Sequence, residues 1–219
     1  MKTSQATTCT FLAVASTLVG ATVSQAVTIT AIANSDPNVQ SACNVTQLID
    51  GDFTIKANFG NPQVDCFGDG YDETVNWNFD FLNDPDLVQF LSIAILKGKL
   101  QSAIATFTVT PTNSLIYTDS TAIPSVISWS IPSLPGVPDV NQTGTFSIDL
   151  LAKGATDSHI IGALAKGEGK IPWYWQDDVV MHSAKLELQI STPEPATALS
   201  LMCLGALMPA IQRSKAKKL

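Results

Sequence analysis

Thr74-Val75-Asn76-Trp77-Asn78-Phe79-Asp80-Phe81 decides how this chain folds. Apolar Val75, Trp77, Phe79 and Phe81 alternate with polar Thr74, Asn76, Asn78 and Asp80. A period of two puts every apolar side chain on one face of a strand and every polar one on the other. Working outward, Gly144, Phe146, Ile148 and Leu150 alternate with Thr145, Ser147 and Asp149. Ala184, Leu186, Leu188 and Ile190 alternate with Lys185, Glu187 and Gln189 in the same way. Leu100 to Thr110 is less regular but rich in Thr, Val, Ile and Phe. Shorter strands are expected at Val27 to Ile32, Phe53 to Asn58, Val126 to Ile131 and His159 to Leu164.

Val88 to Leu96 is one apolar run and reads either as a buried strand or as a short helix. Asp50-Gly51, Gly98, Pro132 to Pro138, Gly154 and Gly167 to Gly169 punctuate the runs as turns and loops. Pro132 to Pro138 lies between strand-like runs carrying Trp129 and Phe146, so it reads as a long loop inside one domain. Many short strands with this punctuation predict an all-β fold, an antiparallel two-sheet β-sandwich of jelly-roll kind, over residues 27–191.

The two ends read differently. Residues 1–26 begin with Met1-Lys2, pass through an apolar run from Phe11 to Val19, and end in Ser24-Gln25-Ala26. One cation, a short apolar core and a small-x-small exit have the pattern of a cleavable signal peptide, with the mature chain starting at Val27. Residues 192–219 hold Thr192-Pro193-Glu194-Pro195, an apolar stretch from Ala196 to Ile211, and a basic end with Arg213, Lys215, Lys217 and Lys218. As a helix, the apolar stretch rises about 24 Å, short of the roughly 30 Å of a hydrocarbon core. The basic end is held on the cytoplasmic side, which leaves the middle of the chain outside.

This tail resembles the PEP-CTERM sorting signal, a resemblance carried by Pro193, Glu194 and Pro195, the short apolar run and the basic end. It implies an exported bacterial protein handled first by signal peptidase and then by an exosortase-type enzyme. The inner membrane holds its tail transiently until that processing. The implied location is the cell envelope or the extracellular matrix, in association with exopolysaccharide or biofilm. The competing reading of the same residues is a simple tail anchor.

Between Val27 and Glu194 there are nineteen acids against seven lysines and no arginine, a net charge of about −12. Such a surface repels nucleic acid, which is excluded as a partner. Cys43 and Cys66 are the two cysteines left between the terminal segments, and in an oxidising compartment they pair. Closing 23 residues contributes roughly 3 kcal/mol through lost chain entropy.

Two clusters invite chemistry. Asp65, Asp69, Asp72 and Glu73, bent by Gly68 and Gly70, are candidate oxygen ligands for Ca2+, or else a solvated acidic loop. A second acidic group, Asn83, Asp84 and Asp86, reads as a turn around Pro85. Trp173 and Trp175 share one face of a strand. They are either core or an exposed stacking platform for sugar rings. Catalysis has little support, since His159 and His182 lie in no nucleophile or metal motif. The leading expectation is thus a non-enzymatic surface or matrix protein, with a carbohydrate-binding module and a secreted hydrolase as rivals.

Overall fold

The computed structural model describes residues 26–58, 65–113, 119–176 and 178–191. The expected signal peptide, sorting motif and basic end therefore lie outside the described residues, apart from Ala26.

Antiparallel strands dominate. The run that opened the sequence reading becomes β6 (Glu73–Asp80), following β1 (Ala26–Asn34), β2 (Ala42–Cys43), β3 (Leu48–Asp50), β4 (Phe53–Ala57) and β5 (Cys66–Phe67). The chain then forms α1 (Leu87–Ile95), β7 (Lys99–Pro111), β8 (Ser120–Ile123), β9 (Ile127–Ser130) and a short 3-10 turn at Ile131–Ser133. It closes with β10 (Gly144–Asp149), α2 (Asp157–Lys166), β11 (Lys170–Gln176) and β12 (Val179–Ser191). One sheet has the order β1-β12-β7-β10, a second β3-β4-β6-β11-β8-β9, and β2 pairs with β5 alone. The chain changes sheet at each long connection: α1 carries it from β6 to β7, and α2 from β10 to β11.

The apolar faces of the two larger sheets meet. Phe107 of β7 lies 6.2 Å from Trp77, 6.0 Å from Trp173 and 5.5 Å from Trp175, ring centre to ring centre. Phe107, Trp173 and Trp175 are wholly or almost wholly buried, as are Phe79, Leu186 and Leu188. Alternation thus placed the apolar strand residues correctly, because a strand with one wet face hides every second side chain, while Thr74, expected on the wet face, is buried at the start of β6.

Two segments differ from the reading above or resolve it. Val88 to Ile95 is helical and Leu96 caps the helix end, with Leu87, Phe90 and Ile93 buried at helical spacing. His159 to Leu164, expected as a strand, lies inside α2. Thr156 accepts from the N–H of His159, while the His159 ring accepts from the N–H of Thr156, a reciprocal cap that fixes the helix start. Ile160, Ala163 and Leu164 then face the core at the spacing of one helix face.

Both helices end alike. At α1, Lys97 takes a positive φ of 62° and Gly98 donates to the Ile93 carbonyl; at α2, Glu168 takes 53° and Gly169 donates to the Leu164 carbonyl. These six-to-one bonds satisfy carbonyls that the helix ends leave open.

Candidate functional site

The acidic loop is built by its glycines. A side chain at Gly70, whose φ is +81°, would sit 2.6 Å from Thr112 Cγ2 and 3.0 Å from the Val179 carbonyl carbon. Only glycine lets this loop lie against the end of β7 and the start of β12. Thr112 fastens it by donating from Oγ1 to the Gly70 carbonyl. Cys43 and Cys66 sit opposite each other in the β2–β5 pair and are joined by a disulfide, which fits an oxidising compartment.

The loop's carboxylates point at backbone. Glu73 Oε1 accepts from the N–H of Gly68 and, at 3.2 Å, from that of Asp69. Asp69 Oδ1 accepts from the N–H of Tyr71 at 3.1 Å, and the Asp72 N–H reaches Asp178 Oδ1 at 3.4 Å. The carbonyl of Asp65 accepts from Asn44 at 2.8 Å. Among the described residues no three His, Cys, Asp or Glu side chains are grouped to hold a metal ion. The four acids of the possible Ca2+ site, Asp65, Asp69, Asp72 and Glu73, are therefore not gathered as a ligand group, and the carboxylates of Asp69 and Glu73 hold backbone amides of the loop instead. Burial pushes the Glu73 carboxyl up to about 8, with the nearby Asp69 adding to the rise and the backbone donors opposing it. Burial likewise raises Asp178.

Other aspartates cap strand ends and edges in the same manner. The turn around Pro85 is present, and its Asp84 accepts from the Thr30 N–H at 2.8 Å while also accepting from Asp86 at 2.9 Å. Asp52 accepts from Asn34 at 2.9 Å. Thr30 and Asn34 belong to β1, an edge strand whose outer donors would otherwise stand open to another chain.

Trp173 and Trp175 do share a face, as expected, but it is the inner one. Trp173 is 1% exposed and Trp175 0%, so the sugar-stacking platform is corrected to core. Their strand lies between β6 and β8, and the inward side meets Phe107 from the other sheet. Trp173 donates from Nε1 to Thr121 Oγ1 at 2.6 Å, and Thr121 passes a hydrogen bond to the Tyr174 carbonyl at 2.9 Å. All four tryptophans of the chain are buried. The histidines also have structural partners: His159 caps α2, and His182 Nε2 pairs with Thr110 Oγ1 at 2.8 Å.

What remains at the surface is an apolar groove between α1 and α2, of about 510 Å³, with Leu82, Leu91, Ile95, Ile161 and Ala165 in its walls. Leu82 and Ile95 in its walls are exposed by 54% and 82%, and Val88 and Leu96 of the same segment by 76% and 68%. Sequence reading missed the groove, although the run from Val88 to Leu96 has only Gln89 and Ser92 as polar residues, too few to cover the outward side of a helix. No helix among the described residues is long and apolar enough to cross a membrane.

A last feature concerns the ends of the fold. Ala26 pairs with Ser191, so β1 starts where β12 stops, and Ser191 also pairs with Lys99. Both terminal segments therefore leave from one end of one sheet. No protein-family model, no curated protein and no solved structure matches this chain.

Proposed function

We propose that this chain is an exported, non-enzymatic protein of the cell envelope or extracellular matrix, sorted through residues 192–219 and associated with exopolysaccharide or biofilm. The observation that carries the reading is the Ala26–Ser191 pair. Signal cleavage after Ala26 would remove only the exposed first residue of β1 and leave Val27 paired with Ile190, and processing at Pro193-Glu194-Pro195 would act just beyond Ser191, at the same end of the molecule. Neither cut would remove a core residue. The two prolines of the motif, Pro193 and Pro195, favour extended backbone, the form a protease cleft takes.

Two further features agree. The Cys43–Cys66 bond suits an oxidising compartment. The net charge of about −12 between Val27 and Glu194 suits a solvated protein kept apart from nucleic acid. Carboxylates that hold backbone amides and histidines that cap and brace strands fit a structural role better than a reactive one. We read the two larger sheets as the faces of a jelly-roll-like β-sandwich, since the first and last strands are neighbours and the chain switches sheets repeatedly. In this reading signal peptidase and an exosortase-type enzyme are the processing partners, and polysaccharide is the surrounding material.

Replacing Pro193, Glu194 and Pro195 together by alanine in the native host tests the proposal. The unaltered protein should be recovered in the envelope or matrix without residues 196–219. The triple variant should accumulate in the inner membrane with its tail intact. Equal distribution and equal mass of the two would remove the sorting role.

A further inference from the structure

The geometry points to a second membrane contact, on the folded domain itself: the C-terminal turn of α1, with Ile95, Leu96, Lys97 and Lys99, docks on the bilayer surface while the tail is still inserted. This rests on the reading of residues 196–211 as the membrane segment.

Ser191 pairs with Lys99, its hydroxyl accepts from Gln101 Nε2 at 2.9 Å, and its carbonyl lies so close to Gly98 that a side chain there would meet it at 2.8 Å. The chain therefore leaves the fold beside the last turn of α1. From Ser191 to Ala196 there are five residue steps, at most about 17 Å fully extended. The headgroup layer takes up roughly 5–8 Å of that reach, leaving the domain a stand-off of about one helix diameter. A domain tethered so closely rests against the surface, and the end carrying Ser191 faces it.

That end has matching chemistry. Ile95, 82% exposed, lines the groove between α1 and α2, whose α2 side carries Glu168, and Leu96, 68% exposed, follows it in the chain. Lys97 and Lys99 are exposed beside them, and no acid occurs from Leu87 to Leu100 in a domain that is otherwise strongly acidic. Apolar side chains flanked by lysines suit the boundary between acyl chains and anionic headgroups. The positive φ of Lys97 ends the helix and turns the chain back towards β7 at this point.

The test uses the chain produced with its own signal in a host without an exosortase, purified from membranes and reconstituted in vesicles of phosphatidylglycerol and phosphatidylethanolamine. An environment-sensitive fluorophore is attached at Ile95→Cys in a Cys9→Ser, Cys203→Ser background. The control carries it at Gln142→Cys, close to the Pro111 end of β7 and roughly 40 Å away along that strand. Headgroup-nitroxide lipid should quench the label at position 95 by about twofold or more over the control, as insertion into the headgroup boundary requires. Equal quenching at both positions, in protein that resists alkaline carbonate extraction, overturns the docking surface and leaves the tail reading intact. Shielding of position 95 without nitroxide quenching also overturns it, because a second copy or the chain's own tail then fills the groove. Release of the protein by carbonate overturns both readings.

Discussion

Changing Glu73 to Gln should make the protein more resistant to unfolding in alkaline solution and leave it nearly unchanged in mild acid. Glu73 is 2% exposed, and its Oε1 already accepts from the N–H of Gly68 and of Asp69. Glutamine keeps that acceptor and removes the ionisable proton. In the folded chain burial lifts the carboxyl from 4.5 to about 8, so between those values the fold holds a proton that the unfolded chain has lost. Stability from this group is complete below about pH 4.5 and is lost as pH rises through about 8. At about 1.4 kcal/mol for each pH unit, the whole span is at most about 5 kcal/mol. Asp50 and Asp178 are also raised by burial and tilt the background in the same direction. Asp36 and Asp80 are lowered, the first mainly by hydrogen bonds from Asn38 and the second mainly by one from Lys170. Their contributions disappear only in stronger acid, below the ordinary aspartate range. Urea unfolding at pH 5, 7 and 9, followed by fluorescence of the buried tryptophans, measures the difference. The gap between variant and unaltered protein should open steadily with pH and reach several kcal/mol at pH 9. Parallel stability curves from pH 5 to 9 would show that Glu73 is ionised in the fold, and the account of the loop would be wrong.

Other consequences follow from single contacts. Trp173→Phe should cost about 2–3 kcal/mol in urea unfolding, because it leaves Thr121 without its buried donor. Trp175→Phe should cost less, since the Trp175 ring nitrogen is buried without a hydrogen-bond partner among the described residues. Glu168→Gly should raise the melting temperature slightly, by about 0.5–1 kcal/mol in stability, because Glu168 holds a positive φ of 53° at the end of α2. Reducing the Cys43–Cys66 bond, or replacing both cysteines by serine, should cost roughly 3 kcal/mol by calorimetry.

The strands were legible because one wet face and one dry face write themselves as alternation, and β6, β7, β10 and β12 all do so. Alternation does not say which face is dry. Trp173 and Trp175 share a side in any strand, but only the placement of β11 opposite Phe107 buries that side. The α2 helix was misread because Ile160-Ile161 looks strand-like, while the cap between Thr156 and His159 uses histidine where glutamate or glutamine is the familiar signal. The Asp65 to Glu73 cluster read either as a cation site or as a solvated loop because sequence gives the spacing of carboxylates and not their targets. Each of the two acids whose target is visible, Asp69 and Glu73, accepts from a neighbouring backbone amide. The groove between α1 and α2 depends on bringing together helices some 70 residues apart, which no local pattern records.

The most direct test of the central claim is the intact mass of the protein recovered from its native host, before and after reduction. A disposable leader and tail around a self-contained fold predict a chain that starts near Val27, ends near Pro193 to Pro195, and gains two hydrogens when the Cys43–Cys66 bond is opened. A full-length chain recovered from the cytosol, with both cysteines reduced, would contradict it.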